Sequence, residues 1–579
     1  MAEYGVSEEE AHMRKSEIAS HRSERQHREK QFKLFRVFTK NLELILLTVL
    51  FIWGRVALYV FGEMDAVVSR IADDAAYFYQ IARNLAQGNG LTFDGINATN
   101  GFQPLWLYVL LPLAWVLQNA PVELYLRAAL IYQVVLLAIA GIVFFFAVSH
   151  LGGRGAALVA TGIFYILAAR LLANGMESGI LAVCTNMLLY FSLKYRPFSK
   201  DCSHKHAIVF GLLLGLTILA RLDMIFLFLI IYTVVIFTII TKTNHLERVT
   251  LVKQSTASII ACGALLLPYF IYNKLMFDSI MPISGELKNT FPHIFEGAIP
   301  FILLGYTTDR GLLVAMLIFA YTIMAFLLST FLFLRSPLRT ETSERYKLSV
   351  LIIGTLYVIA HYLHTTLFMS WGIGIWHFAV YIFHACALSA YIVDNLFRRL
   401  STQALRLATS ATTAAILAVL AANSYIVAKT QPKGWQLQSY RAAVWARTHL
   451  PQDARLALTD SGLFGMLSER SVVNLDGIVN NMEYQEALKR RQLNDYFRRK
   501  GVRYLVMHAY RPYPLKYTAP NYKEVLSANY SHVDIAFRSH LTDTLSDPIR
   551  VYREDEVYRS PAYYDGAFET VFIIWRLRW

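Results

Sequence analysis

Cysteine is scarce: four occur in 579 residues, with no metal-ligand spacing and no pair that suggests a disulfide. Cys184, Cys262 and Cys386 fall inside apolar runs, and Cys202 lies in a basic loop. Charge is scarce too. Only 17% of the residues are Asp, Glu, Lys or Arg, where a soluble chain carries about a quarter. That shortage, with 55% hydrophobic residues gathered into long runs, excludes an ordinary soluble domain and implies a polytopic membrane protein. Acidic residues number 41 against 55 basic ones, yet the placement of the surplus argues against nucleic acid as a partner. Arg14, Lys15, Arg22, Arg25, Arg28, Lys30, Lys33, Arg36 and Lys40 crowd the N-terminus, and other cations punctuate the apolar runs, the signature of cytoplasmic anchoring. No short apolar core with a small-residue cleavage site precedes the first run, so no cleaved signal is expected. Internal repeats are absent, and the only biased tract is the Ser-, Glu- and Arg-rich arm of residues 1–40, expected to be disordered.

What is present is a series of apolar runs. Residues 41–62, 125–149, 155–173, 178–195, 206–221, 223–241, 254–273, 311–334, 347–366, 374–396 and 404–428 predict eleven crossings. The segment 105–117 is short and contains Pro112, so it reads as re-entrant or surface-lying. Placing the basic loops inside gives a cytoplasmic N-terminus and an outer C-terminus. Residues 429–579 are charged and Tyr-rich. Helical patterns there (440–449, 484–500) alternate with strand-like runs (454–458, 471–475, 503–507), predicting a small extracytoplasmic α/β domain. The expected division is an N-terminal arm over 1–40, a membrane domain over 41–428 and an outer domain over 429–579.

Between the first two runs lies Asp73-Asp74-Ala-Ala-Tyr77-Phe-Tyr-Gln-Ile-Ala-Arg83-Asn84, followed by Gly88-Asn-Gly90 and a polar loop. Helical spacing of Tyr77, Gln80, Ile81 and Asn84 predicts an amphipathic helix over 75–87 lying at the membrane interface, ended by Gly88 and Gly90. One acid would serve as its N-cap, leaving the other for chemistry. The inferred topology puts Asp73/Asp74, Asn174–Glu177, Arg221/Asp223, 273–310 and 370–377 on one outer face, where charges beside apolar spans mark a site.

This passage resembles the first-outer-loop acidic motif of the GT-C superfamily, integral membrane glycosyltransferases that use polyprenyl-phosphate sugars. It looks most like the bacterial branch that includes arabinofuranosyl- and mannosyltransferase-like enzymes. Asn174-Gly-Met-Glu177-Ser, Leu219-Ala-Arg221-Leu-Asp223 and Pro282-Ile-Ser-Gly285-Glu-Leu-Lys288 echo later motifs, so the likeness covers roughly residues 41–428. The resemblance implies a GT-C fold and a first-loop acid acting as base. Set against the aminoarabinose-transferase form of the motif, the Ile81-Ala82-Arg83 register favours Asp74, with Asp73 capping or assisting. Glycosyl transfer needs a carboxylate to take the acceptor hydroxyl's proton and donors to stabilise the departing phosphate.

Lys288, on a loop beside the permissive Gly285, is the first candidate for the donor phosphate, followed by His377 and Arg310. Surface solvation is the plain alternative for Lys288. Glu177 is either a helix-start charge or the acid that, in the family, orients the acceptor or helps bind a divalent metal. Arg221 and Asp223 form an internal ion pair or touch substrate. Asp73, Asp74 and Glu177 would be the oxygen ligands of a hard cation if one is used; no other cofactor is implied. Asp460 and Asp476 stand in glycine-containing loops that read first as turns and second as the lining of an acceptor groove. The expected activity is transfer of a sugar from a polyprenyl-phosphate donor to a glycan, lipid or protein acceptor outside the cytoplasmic membrane, with inversion as the family expectation. The rival is a polyprenyl-linked substrate transporter or flippase, whose mark would be inverted repeats with broken helices. A glycan-binding scaffold leaves the many crossings unexplained.

Overall fold

The computed structural model of the protein describes residues 41–199, 202–294, 310–335, 342–370, 374–397, 401–429, 434–510, 522–539, 541–564 and 569–579. The basic arm of residues 1–40 lies outside them. The protein is a polytopic helical membrane protein with a small C-terminal sheet region. Among the described residues, nine helices are long and apolar enough to cross a bilayer, from Leu42–Phe61 to Gln403–Ile426. The two remaining predicted crossings are also helical, as Ser178–Tyr195 and His204–Ala220, but with 18 and 17 residues they are shorter elements. Pro104–Val116, with Pro at its first turn and 13 residues, spans about 20 Å at 1.5 Å per residue and falls well short of the ~30 Å apolar slab. Trp53, Phe237, Leu267 and Met324 stay exposed on the bundle's outer surface, the pattern of a lipid-facing wall.

Polar side chains set the ends of these helices. Asn244 accepts from the amides of Leu246 and Glu247 at 3.0 and 3.3 Å, which starts the His245–Phe277 helix. Arg127 donates to the carbonyls of Tyr59 and Gly62 at 2.6 and 2.8 Å, closing the end of the first span. Inside the bundle, Gly211 lets two helices approach so closely that a Cβ there would sit 2.1 Å from the carbonyl oxygen of Ser258.

The first-loop helix runs Asp73–Ala86. Its outward face is covered by protein rather than left in water. Ala75, Ala76, Tyr77, Phe78, Tyr79, Ile81 and Ala82 are all buried, because the Gly462–Ser468 helix of the C-terminal region packs on it in addition to the bundle. Gly88 and Gly90, at φ +83° and +72°, end it as expected.

Beyond Gly434, a mixed sheet has strands β1 (Arg455–Leu458), β2 (Ser471–Asn474), β3 (Tyr504–Tyr510), β6 (Glu556–Arg559), β7 (Tyr563–Tyr564) and β8 (Glu569–Arg576). Its order is β2-β1-β3-β8-β6, with β7 also on β8; β1 is parallel to β2 and β3, and β8 is antiparallel to β3. Strands β4 (His532–Ile535) and β5 (Ile549–Tyr552) form a separate pair. The helix predicted over 484–500 is two helices, Met482–Lys489 and Leu493–Lys500. The break falls where Arg491 takes φ +56° and the Asp547 carboxylate caps the amides of Leu493 and Asn494 at 2.6 and 3.0 Å. Arg441 and Arg447, on the Trp435–His449 helix, pair with Asp65 and Glu123 of the membrane portion at 2.7 and 2.6 Å.

Filling the Gly211 contact tests the bundle packing. Gly211→Leu is expected to cost about 1–3 kcal/mol as the helices are forced apart, whereas Gly263→Ala, where nothing lies within 4 Å, is neutral. Thermal unfolding of the two variants in detergent checks this; equal midpoints would refute it.

Candidate active site

Asp73 and Asp74 are adjacent on one helix, so their side chains point about 100° apart. This separates their roles. Asp73 is buried, and its Oδ2 and Oδ1 accept from the backbone amides of Gly462 and Leu463, both at 2.8 Å. It does not cap its own helix, whose N-cap position is Ala72. It caps the Gly462–Ser468 helix from across the chain, and a Cβ on Gly462 would meet the Asp73 carbonyl at 2.1 Å. Asp74 keeps part of its surface, and no hydrogen bond to it occurs among the described residues. Burial raises its pKa, with the Lys288 charge acting in the opposite sense.

Lys288 ends the short Ile283–Lys288 helix. Asn100 of the first loop places that helix by accepting from the Ile283 amide at 3.0 Å, and the Lys288 carbonyl accepts from the Ser370 amide at 3.0 Å. His377 is on a tight turn, with Nδ1 3.1 Å from the Gly374 carbonyl, and lies in the field of Arg221 and Lys288. Arg310 begins the Arg310–Arg335 helix, but its side chain lies outside the described residues.

A buried ionic network lies close enough to feel these charges, with Glu177 in the field of Asp74 and His377 in that of Arg221. Arg221 donates to Glu177 Oε1 and to Asp223 Oδ2, each at 2.8 Å, and to the Trp376 carbonyl at 3.3 Å. Asp223 Oδ2 also accepts from His361 Nε2 at 3.0 Å, which leaves His361 Nδ1 to accept from the Tyr381 hydroxyl at 3.0 Å. Glu177 Oε2 and Asp223 Oδ1 are buried without a hydrogen-bond partner among the described residues. Glu177 is brought beneath the first-loop helix by Gly175, whose φ of +92° and missing Cβ let Tyr79 donate to the Gly175 carbonyl at 2.8 Å. Gln103 of the first loop accepts from the Leu222 amide at 3.2 Å.

The C-terminal region contributes two further acids that read in the sequence chiefly as turn residues. Asp476 is buried, and its Oδ2 accepts from the Asp460 amide at 2.6 Å and from Asn474 Nδ2 at 3.2 Å. Asn474 also donates to the hydroxyls of Ser461 and Tyr77, at 3.0 and 3.2 Å. Tyr77 in turn accepts from the Ser461 amide at 3.1 Å. Asp460, in the left-handed region at φ +45°, has an exposed side chain. The surrounding protein thins the water about its carboxyl, and this and then the Asp476 charge push it well above the usual range. Burial pushes Asp476 up to about 6. The hints of this pair were the two polar, glycine-containing runs after strands, Thr459-Asp460-Ser461-Gly462 and Asn474-Leu-Asp476-Gly477; the contacts that Tyr77 and Gln103 make carried no signal of a site.

The trio Asp73, Asp74 and Glu177 does not fit a cation. Both oxygens of Asp73 hold amides and one of Glu177 holds Arg221. Among the described residues, no three His, Cys, Asp or Glu side chains are grouped as metal ligands. A cavity of about 340 Å³ lies elsewhere in the bundle, lined by Asn186, Leu227, Tyr346 and His384, and contains none of these acids.

Comparison with solved structures defines the fold. The oligosaccharyltransferase of Archaeoglobus fulgidus matches in its apo form with a TM-score of 0.53 at 11% identity, covering 82% of this chain and 70% of that one. The same enzyme in complex with Zn and sulfate matches with a TM-score of 0.50 at 13% identity, over 81% and 68%. ArnT from Cupriavidus metallidurans in the apo state matches with a TM-score of 0.51 at 13% identity, over 90% and 98%. The chain thus has the GT-C fold. Residues 427–557 match a family described as a domain of unknown function, DUF8728. Comparison with curated proteins finds no match.

The Asp476 shift makes stability depend on pH. Native Asp476 holds its proton up to about 6, whereas an unfolded Asp releases it near 3.9. Between those values the folded state binds more protons, so this group's contribution falls as pH rises and is fully unfavourable above the higher value. Asp476→Asn is therefore expected to gain about 2 kcal/mol on the unmutated protein between pH 4 and 7.5. Paired thermal midpoints at the two pH values measure it; a pH-independent difference contradicts it.

Proposed function

We propose that the protein is a membrane glycosyltransferase that moves a sugar from a polyprenyl-phosphate donor to an acceptor on the extracytoplasmic side of the cytoplasmic membrane. The N-terminus is then inside and the sheet region outside. The observation that carries this reading is the difference between the two first-loop acids. Both oxygens of Asp73 are bonded to backbone amides, while Asp74 has no hydrogen bond among the described residues and lies in the field of Lys288. The GT-C fold supports it as scaffold only, at 11–13% identity.

In this reaction the acceptor oxygen attacks the anomeric carbon as its proton passes to Asp74, and the C–O bond to the phosphate breaks on the opposite face. The product sugar is inverted, and the polyprenyl phosphate leaves with both bonding electrons. Burial raises the Asp74 pKa and strengthens it as a base. Lys288 meets the growing charge on the phosphate, with His377, and Arg310 as a further cation. Arg221 is held between Glu177 and Asp223 and acts by fixing the floor of the recess. Of the single-sugar and oligosaccharide branches of this fold, the first-loop motif favours the single-sugar one. The acceptor is a glycan, lipid or protein.

Asp74→Asn is expected to lower transfer by about 10²–10⁴-fold with an unchanged thermal midpoint. Lys288→Gln is expected to weaken donor binding about tenfold, the loss of one charge-assisted contact. Release of labelled sugar from polyprenyl-phosphate pentose and hexose donors, with titration of each donor, measures both. Full activity of the Asn variant on a donor that the unmutated protein turns over removes Asp74 as the base.

A further inference from the structure

We infer that Asp73 is a positioning residue that locks the C-terminal region onto the reaction chamber, so that the region of unknown function completes the site. This rests on the reading of Asp74 as base, and it assigns a task both to the second acid of the motif and to the region beyond Gly434.

The contacts form one continuous chain. Asp73 takes the amides of Gly462 and Leu463, each at 2.8 Å. One helical turn further on, Tyr77 takes the Ser461 amide at 3.1 Å and the Asn474 side-chain amide at 3.2 Å. Asn474 reaches Asp476 at 3.2 Å, and Asp476 holds the Asp460 amide at 2.6 Å. The loops at the ends of β1 and β2 are thus fastened to the helix that carries Asp74. Ser471 adds a tie to the Asp94 carbonyl at 2.7 Å, and Gly101 packs so tightly on Ile478 that a Cβ would meet its carbonyl at 1.8 Å.

The chemistry of the anchor differs from that of a base. The first amides of a helix have no partner within it, so an acceptor must come from outside. A carboxylate fills two such vacancies at once, one with each oxygen, and the charge-assisted bonds hold it where the amides are. A hydroxyl at the same place still accepts one amide but cannot serve as a general base at neutral pH. Anchoring and base catalysis therefore predict opposite outcomes for a serine at position 73. The acids brought into the chamber by the anchor, Asp460 above all, are placed to accept hydrogen bonds from hydroxyl groups of the acceptor.

The test compares Asp73→Ala with Asp73→Ser in the full-length protein in detergent. Amide hydrogen exchange over 460–465 is followed alongside sugar release from polyprenyl-phosphate pentose and hexose donors. Asp73→Ala is expected to lose about tenfold or more of the amide protection and at least tenfold of turnover, with a raised KM for the acceptor. Asp73→Ser is expected to keep most of the protection and more than a tenth of the turnover. A serine variant that is protected yet as inactive as the alanine variant would overturn the proposal, as Asp73 would then act on substrate directly. Unchanged exchange in the alanine variant would overturn it as well. If the unmutated protein turns over none of these donors, the glycosyltransferase reading fails, while exchange alone still judges the anchor.

Discussion

The carboxylate of Asp73, closed on two backbone amides from the far end of the chain, is the contact on which the rest of the site depends. Burying an acid is costly unless its lone pairs are satisfied, and leaving the first amides of a helix without acceptors is costly for the same reason. Each group solves the other's problem. The contact fixes the Asp73–Ala86 helix, and with it the direction in which Asp74 points. It also explains why Gly462 has no side chain: the approach to the Asp73 backbone leaves no room for one.

A second constraint lies beneath the first. Arg221, Glu177 and Asp223 sit where apolar helices end, and a lone charge there would be prohibitive. Two carboxylates around one guanidinium leave two buried oxygens, Glu177 Oε2 and Asp223 Oδ1, without partners among the described residues. The network is thereby a rigid and electronegative floor, while Lys288 and His377 supply positive and hydrogen-bonding groups at the side. The charges are asymmetric in origin, with acids from the first loop and the sheet region and the cation from the Ile283–Lys288 helix. Such asymmetry suits a reaction in which a proton leaves on one side and a phosphate departs on the other.

Much of this was legible in the sequence because charge is conspicuous in an apolar chain. Asp73-Asp74 beside a span, Arg221-Leu-Asp223 between two spans and Lys288 next to Gly285 are visible for that reason, and in the structure these charges lie within one another's field. The membrane helices were equally plain, since length and hydropathy alone define them. What could not be read was anything carried by backbone atoms. The amides of Gly462, Leu463 and Ser461 have no side-chain signature, so the union of the two regions, and the cover it puts over the first-loop helix, was invisible. Asp460 and Asp476 look like turn residues because locally that is what they are. Their proximity to Asp74 arises only from tertiary contact. The break at Arg491 was hidden likewise, since its cause, Asp547, is more than fifty residues away.

The central claim is that Asp74 and Lys288 share the chamber in which a lipid-linked phosphate reacts. The most direct measurement is a cryo-EM map of the protein in nanodiscs with undecaprenyl phosphate. The account predicts phosphate density in contact with Lys288, on the side of the recess facing the free Asp74 carboxylate. Phosphate density elsewhere, with the Asp74–Lys288 recess empty, would contradict it.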